Sequence, residues 1–170
     1  ENDIFMFNVE SASELEHINT LAGGLGKKPK VSLRINPDID AKTHAKTTTG
    51  KKENKFGIDM TEAENIVKRA SKYPHINLCG FHVHLGSPIY TVDPYASALK
   101  KMLPFIQKCR DMNCRVEYMN VGGGYCISYT GEEVIRPGDY AAKIVPFIKE
   151  VQCKLVLEPG RFIVGNSGIL

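Results

Sequence analysis

The chain has 170 residues, 42% apolar and 24% charged, and a formal net charge of +3, the composition of one globular domain with a core of its own. So small a charge, with no basic stripe interleaved with aromatics, speaks against nucleic acid as a partner. No apolar run nears the roughly 20 residues that would span a membrane.

The elements follow one another as strand, then helix. Residues 4–9 form a short apolar strand. Ser11-Ala12-Ser13-Glu14 then reads as a capping box, with the serine hydroxyl accepting from the Glu14 amide and the glutamate reaching back to the serine amide. That helix should end near Gly23-Gly24. Residues 31–36 are the second strand, stopped by Pro37, and residues 38–54 are a long polar loop. A short extended piece at 56–58 leads into Thr61-Glu62-Ala63-Glu64, a second capping box. There Ala63, Ile66, Val67 and Ala70 share a helical face.

Residues 78–85 form the third strand. Asp93 and Pro94 start a helix as N-cap and first residue, with Tyr95, Leu99, Met102, Leu103 and Ile106 as its apolar face and Pro104 as a kink. Residues 116–121 are the fourth strand. Asp139 caps the next helix, 154–157 are the fifth strand, and the apolar tail 162–170 reads as a further strand. Near-continuous apolar strands alternating with helices describe an α/β fold with a parallel sheet. A doubly wound sheet and a piece of a (β/α)8 barrel both fit, and periodicity does not choose between them.

The polar residues cluster just after strand ends. Strand three ends in His82-Val83-His84-Leu85-Gly86-Ser87, strand four in Asn120-Val121-Gly122-Gly123-Gly124, and strand five in Glu158-Pro159-Gly160-Arg161. In parallel α/β folds ligands bind at that edge. Three glycines in a row leave backbone amides free to form an anion-binding nest; a plain flexible turn is the competing reading. Neither GxGxxG nor a P-loop is present. Glu158 needs a partner: Arg161 nearby, giving a purely structural pair, or a cationic ring nitrogen of a cofactor. His82 and His84 lie two apart on one strand face, an arrangement also used for zinc. The later strand ends offer few further metal ligands, so no metal is expected.

Five cysteines, Cys79, Cys109, Cys114, Cys126 and Cys153, form an odd set without a CxxC pair. This argues against a disulfide framework or zinc ribbon and fits a cytoplasmic protein. The amino-terminal residues show no basic segment followed by an apolar one, so no secretory signal is expected.

Taken in order, Asn54-Lys55-Phe56-Gly57-Ile58, His84-Leu85-Gly86-Ser87, Gly122-Gly123-Gly124 and Glu158-Pro159-Gly160-Arg161 resemble the barrel-type (fold-type III) pyridoxal-phosphate decarboxylases. Phe7-Asn8-Val9-Glu10-Ser11, Arg34-Ile35-Asn36-Pro37, and His44 followed by Thr49-Gly50 fit as well. Within that family the diaminopimelate branch fits best, with the ornithine, arginine and carboxynorspermidine enzymes as relatives. The resemblance implies pyridoxal 5'-phosphate as cofactor, with His84 stacked on its ring and Glu158 paired with the ring nitrogen, these two being the catalytic positions in this chain. It places Ser87, Gly123, Gly124, Gly160 and Arg161 at the phosphate, and makes the Arg161 side chain a candidate for a substrate carboxylate. His82 receives no role.

The fold implied is a partial (β/α)8 TIM barrel of about five β/α units. Residues 1–161 would form its central part, and 162–170 the start of a link to a C-terminal β domain. The 44–54 region would be a lid. The implied reaction converts the small-molecule amino acid meso-diaminopimelate to L-lysine in a cytoplasmic homodimer of the full-length protein. The family's Schiff-base lysine segment has no counterpart here, so this stretch alone is expected not to decarboxylate. A non-catalytic pyridoxal-phosphate-binding barrel and a zinc-dependent barrel hydrolase are the alternatives.

Overall fold

The computed structural model of the chain describes residues 2–39 and 56–168. Five parallel strands form one sheet: β1 Phe7–Val9, β2 Lys30–Arg34, β3 Asn77–His82, β4 Tyr118–Asn120 and β5 Lys154–Val156. Helices α1 Ala12–Gly24, α2 Met60–Lys68, α3 Asp93–Asp111 and α4 Pro137–Glu150 fall between them, and α5 Gly160–Val164 follows β5. The strands lie in the sheet in chain order, β1-β2-β3-β4-β5. A doubly wound sheet reverses its order at a switch point; this one never does. The fold is therefore an arc of a (β/α)8 barrel, five strands of the eight.

The arc is strongly curved. Four strand spacings of about 4.8 Å would put β1 and β5 roughly 19 Å apart in a flat sheet. Yet Asn8 on β1 hydrogen-bonds Glu158, just past β5, at 2.9 Å. In an eight-stranded barrel, strands four apart face each other across the lumen, and these two side chains meet there.

Alternation along each strand decides what the lumen holds. One face turns to the helices and is apolar: Val31, Leu33, Phe81 and Met119 are fully buried. They pack on α3 through Leu99, Met102 and Ile106, also buried, and Phe81 meets the Phe105 ring edge-on with centroids 5.1 Å apart. Truncating Phe81 to alanine would cost about 3–5 kcal/mol. The other face carries Asn8, Ser32, Arg34, His82 and Asn120. Ser32, His82 and Asn120 are the buried polar residues of the chain's described part. In register, Asn8 lies beside Ser32 and Arg34 beside His82, which lies beside Asn120.

Helix starts differ in detail from the sequence expectation. Ser11 caps α1 by accepting from the Glu14 amide at 3.1 Å, as its spacing requires. The Glu14 carboxylate, however, accepts from the Glu10 amide at 2.8 Å rather than from Ser11. For α2 the cap is Asp59, accepting from the Glu62 amide at 2.9 Å. It lies two residues before Thr61, because an aspartate is at least as good an N-cap as a threonine and the helix gains two residues by using it. Asp93 and Asp139 sit inside the first turns of α3 and α4, where the residues at the cap are Val92 and Arg136; both carboxylates still favour the helix dipole.

The tail expected as a strand forms helix α5 instead. Its Phe162 ring packs edge-on against Tyr125 with centroids 4.8 Å apart, a contact that holds α5 to the barrel while the ring stays half-exposed. The polar 44–54 stretch expected as a lid lies outside the described residues.

Candidate functional site

The carboxyl ends of β3, β4 and β5 meet at one point. Backbone bonds tie them: Val83 N–H to the Asn120 carbonyl at 2.9 Å and Glu158 N–H to the Gly122 carbonyl at 2.9 Å. The glycines permit this approach. A Cβ on Gly122 would lie 2.4 Å from the Val83 carbonyl oxygen, one on Gly123 2.5 Å from that of Glu158, and one on Gly124 2.3 Å from that of Gly86. No side chain fits at any of these distances. Gly122 and Gly124 also have positive φ, +71° and +94°, which glycine adopts without cost. The triplet is thus first a joint between three strand ends and not a loose turn. Tyr95 from α3 locks it from beneath, its buried hydroxyl donating to the Gly123 carbonyl at 2.9 Å.

The amides of the joint are partly committed within the protein. Gly122 N–H donates to Asn120 Oδ1 at 2.9 Å, and Gly123 N–H to His84 Nδ1 at 3.2 Å. Gly160 N–H donates to the Glu158 carbonyl at 2.8 Å. The amides of Gly124 and Arg161 enter no such bond among the described residues.

Glu158 stands at the centre. Its Oε1 accepts two side-chain amides, from Asn8 at 2.9 Å and Asn120 at 2.8 Å, and its Oε2 faces His82 Nε2 at 3.6 Å. The His82 ring is the chief influence that draws the carboxyl down to about 2, against the upward pull of partial burial, and the Asn120 bond and nearby His84 add to it. Glu158 is therefore a carboxylate at any physiological pH. Arg161, the structural alternative as its partner, turns elsewhere: its Nε donates to Ser87 Oγ at 3.2 Å and its Nη1 to the Tyr129 hydroxyl at 2.5 Å.

His84 lies beside this carboxylate. Burial first, then the positive Arg34 and the His82 ring, push it below its ordinary 6.5, so the ring is neutral near pH 7. Nδ1 accepts from Gly123, which leaves the proton on Nε2. Arg34 itself is held by Glu10 at 2.6 Å.

The arrangement gathers the residues named from sequence at the strand ends. His84, Glu158 and the glycine joint adjoin one another, and Ser87 and Arg161 make a bonded pair beside them. Sequence reasoning assigned no role to Asn8, Asn120, Arg34 or His82. Their signal was present: each is a polar residue inside an otherwise apolar parallel strand or at its end, and such exceptions mark the lumen face. One donor atom each of His82, His84 and Glu158 lie within 4.8 Å of one another, a grouping able to hold a metal. But Glu158 Oε1 already carries two amides and His84 Nδ1 the Gly123 amide, so both have their places without an ion.

Chemically, the site offers a fixed anion, a neutral ring beside it, and a hydroxyl–guanidinium pair next to two uncommitted amides. That set fits a planar heterocycle with a basic nitrogen at one end and a phosphate at the other. Residues 1–165 match the family model described as the pyridoxal-binding domain of the pyridoxal-dependent decarboxylases. The chain is 40% identical over its whole length to the diaminopimelate decarboxylase of Aquifex aeolicus, of which it covers 41%. It is 41% identical over 96% of its length to that of Haemophilus influenzae, covering 40% of it. Among solved structures, the Helicobacter pylori diaminopimelate decarboxylase complexed with L-lysine superposes with a TM-score of 0.89 at 38% identity, over 95% of this chain and 41% of that one. The chain thus spans about two fifths of the length of the relatives it matches. No helix among the described residues is long and apolar enough to cross a membrane.

Proposed function

Because the chain belongs to the pyridoxal-dependent decarboxylases, by way of their pyridoxal-binding domain, we propose that it builds the cofactor side of an active site that removes one carboxylate from meso-diaminopimelate, releasing carbon dioxide and leaving L-lysine. The observation that carries this reading is the charged Glu158 carboxylate, held in the lumen by two strand amides beside a neutral His84. When bound, pyridoxal phosphate supplies an electron sink for the pair left behind as carbon dioxide departs.

The chain's residues divide the work by chemistry. Glu158 accepts the ring nitrogen's proton bond and keeps positive charge there, which strengthens the sink. His84, uncharged, stacks on the ring face without repelling a cationic ring. Ser87 Oγ, the Arg161 guanidinium and the free amides of Gly124 and Arg161 hold the phosphate, with Gly123 and Gly160 shaping the two turns. By the resemblance, the Arg161 side chain is also a candidate partner for a substrate carboxylate.

The diaminopimelate assignment rests on the names of the relatives and on the lysine bound in the Helicobacter structure. By the same resemblance the full-length protein is a cytoplasmic homodimer; the five free cysteines agree with a reducing compartment. By the same resemblance residues 1–161 form the central part of the barrel, and 162–170 begin the link to a β-rich domain of the full-length protein.

The test is carbon dioxide release by the full-length protein from meso-diaminopimelate, ornithine and arginine in parallel. The expected result is L-lysine from the first at a kcat/KM at least about 100-fold above the others, and a loss of roughly 100- to 1,000-fold in Glu158→Gln. Cofactor binding with no turnover of any of the three would overturn it in favour of a non-catalytic barrel.

A further inference from the structure

His82 is the one histidine of the strand-three motif left without work. It closes β3 on the lumen face, its side chain is 5% exposed, and neither ring nitrogen finds a hydrogen-bond partner among the described residues. A buried polar ring without a partner is unfavourable, so its place calls for an explanation. Across the lumen, Glu158 Oε2 stands 3.6 Å from Nε2. Oε1 of the same carboxylate already carries two donors; Oε2 accepts none among the described residues and faces His82.

We infer that His82 is a positioning residue for Glu158, its Nε2–H holding Oε2 so that the carboxylate stays a weak base and the proton of the shared bond stays on the cofactor's ring nitrogen. This rests on the proposed pairing of Glu158 with that nitrogen. One proton is shared between two bases, the ring nitrogen and the Glu158 carboxylate. Every hydrogen bond donated to a carboxylate lowers its basicity. With Asn8 and Asn120 on one oxygen and His82 on the other, Glu158 attracts the proton less, and the ring remains a pyridinium. Removing the His82 donor makes the carboxylate the stronger base and draws the proton toward it, neutralising both partners and weakening the electron sink.

The separation of 3.6 Å exceeds a formed hydrogen bond by roughly half an ångström. The Glu158 side chain is 41% exposed, and a small rotation within it toward Nε2 is the adjustment this role requires. The charged groups around His82 do not oppose this. Arg34, its register neighbour on β2, is paired with Glu10; His84 on its own segment is neutral near pH 7; β4 and β1 contribute the uncharged Asn120 and Asn8.

The experiment is 15N NMR of the ring nitrogen in the full-length protein loaded with 15N-labelled pyridoxal phosphate. His82→Phe keeps a ring and removes the donor; His82→Gln returns an amide donor near the Nε2 position. The expected result is a shift of the nitrogen signal toward its unprotonated value in His82→Phe, largely reversed in His82→Gln. A fall in kcat of about tenfold at little-changed KM should follow the same order. If His82→Phe does not fold, His82→Asn, whose amide falls at the Nδ1 position and stops short of Glu158, carries the same expectation. A nitrogen signal unchanged from wild type in the donor-free variant overturns the role. Glu158→Gln separates the two claims: if it too leaves the signal unchanged, the Glu158 pairing is wrong; if it moves the signal and His82→Phe does not, only the His82 role fails.

Discussion

Asn8 and Glu158, 150 residues apart in the chain, are joined by a 2.9 Å hydrogen bond from the Asn8 amide to Glu158 Oε1. One residue belongs to the first strand of the arc and the other follows the last, so a single bond reports both the closure of the barrel and the placement of its central carboxylate. Asn8→Ala removes that donor. The expected cost is about 1 kcal/mol, below the roughly 1.5–3 kcal/mol usual for a bond to a charged group because Glu158 is half-buried and partly screened. Urea unfolding of the full-length protein measures it, and an unchanged midpoint would show that the bond contributes nothing in solution.

The acid limb of stability carries a second expectation. Glu158 titrates at about 2 against an ordinary 4.5. A carboxyl lowered by folding stabilises the native state fully above the unfolded value, and that contribution is lost as pH falls through the folded one. Stability should therefore decline between 4.5 and about 2, and Glu158→Gln should flatten part of that decline. Glu132, drawn down to about 2 by the Tyr129 and Thr130 amides, acts in the same window. The difference between wild type and variant is thus the quantity to measure, by urea midpoints across the range. Parallel curves would contradict the assignment.

The glycine joint predicts opposite signs at two positions. Gly123→Ala places a Cβ 2.5 Å from the Glu158 carbonyl oxygen and should destabilise by about 1–3 kcal/mol, loosening the cofactor's phosphate end as well. Gly138, in the first turn of α4, has nothing within 4 Å of its Cβ position. Gly138→Ala should therefore stabilise by up to about 1 kcal/mol. Thermal unfolding of both variants checks this; equal effects would mean that backbone flexibility and not close approach governs the triplet.

Much of this was legible in the sequence, for identifiable reasons. Each strand is a run of apolar residues and each helix has an apolar face, so element types follow from local pattern. The polar clusters fall at strand ends because backbone continuity places them there. Periodicity alone left barrel and doubly wound sheet open, and the family resemblance chose the barrel, because strand order is a property of pairing between segments far apart, which periodicity does not encode. The partners of Glu158 were hidden for the same reason: Asn8 and Asn120 become its neighbours only once the sheet curls. Arg161, three residues away, looked nearer but bonds Ser87 and Tyr129. The tail became α5 because Phe162 finds Tyr125, a contact no local pattern announces. The polar character of His82 at the end of an apolar strand was visible in the sequence, but its two orphaned ring nitrogens, which call for a partner, show only in the folded lumen.

The central claim is that the joined ends of β3, β4 and β5 hold pyridoxal phosphate with its ring nitrogen on Glu158. A crystal structure of the full-length protein loaded with the cofactor tests this most directly. The account predicts the nitrogen within hydrogen-bond distance of the Glu158 carboxylate, the ring stacked on His84, and the phosphate on Ser87 and the turns at Gly124 and Arg161. A cofactor seated elsewhere in the barrel, or in this place with its nitrogen turned from Glu158 toward solvent, would contradict it.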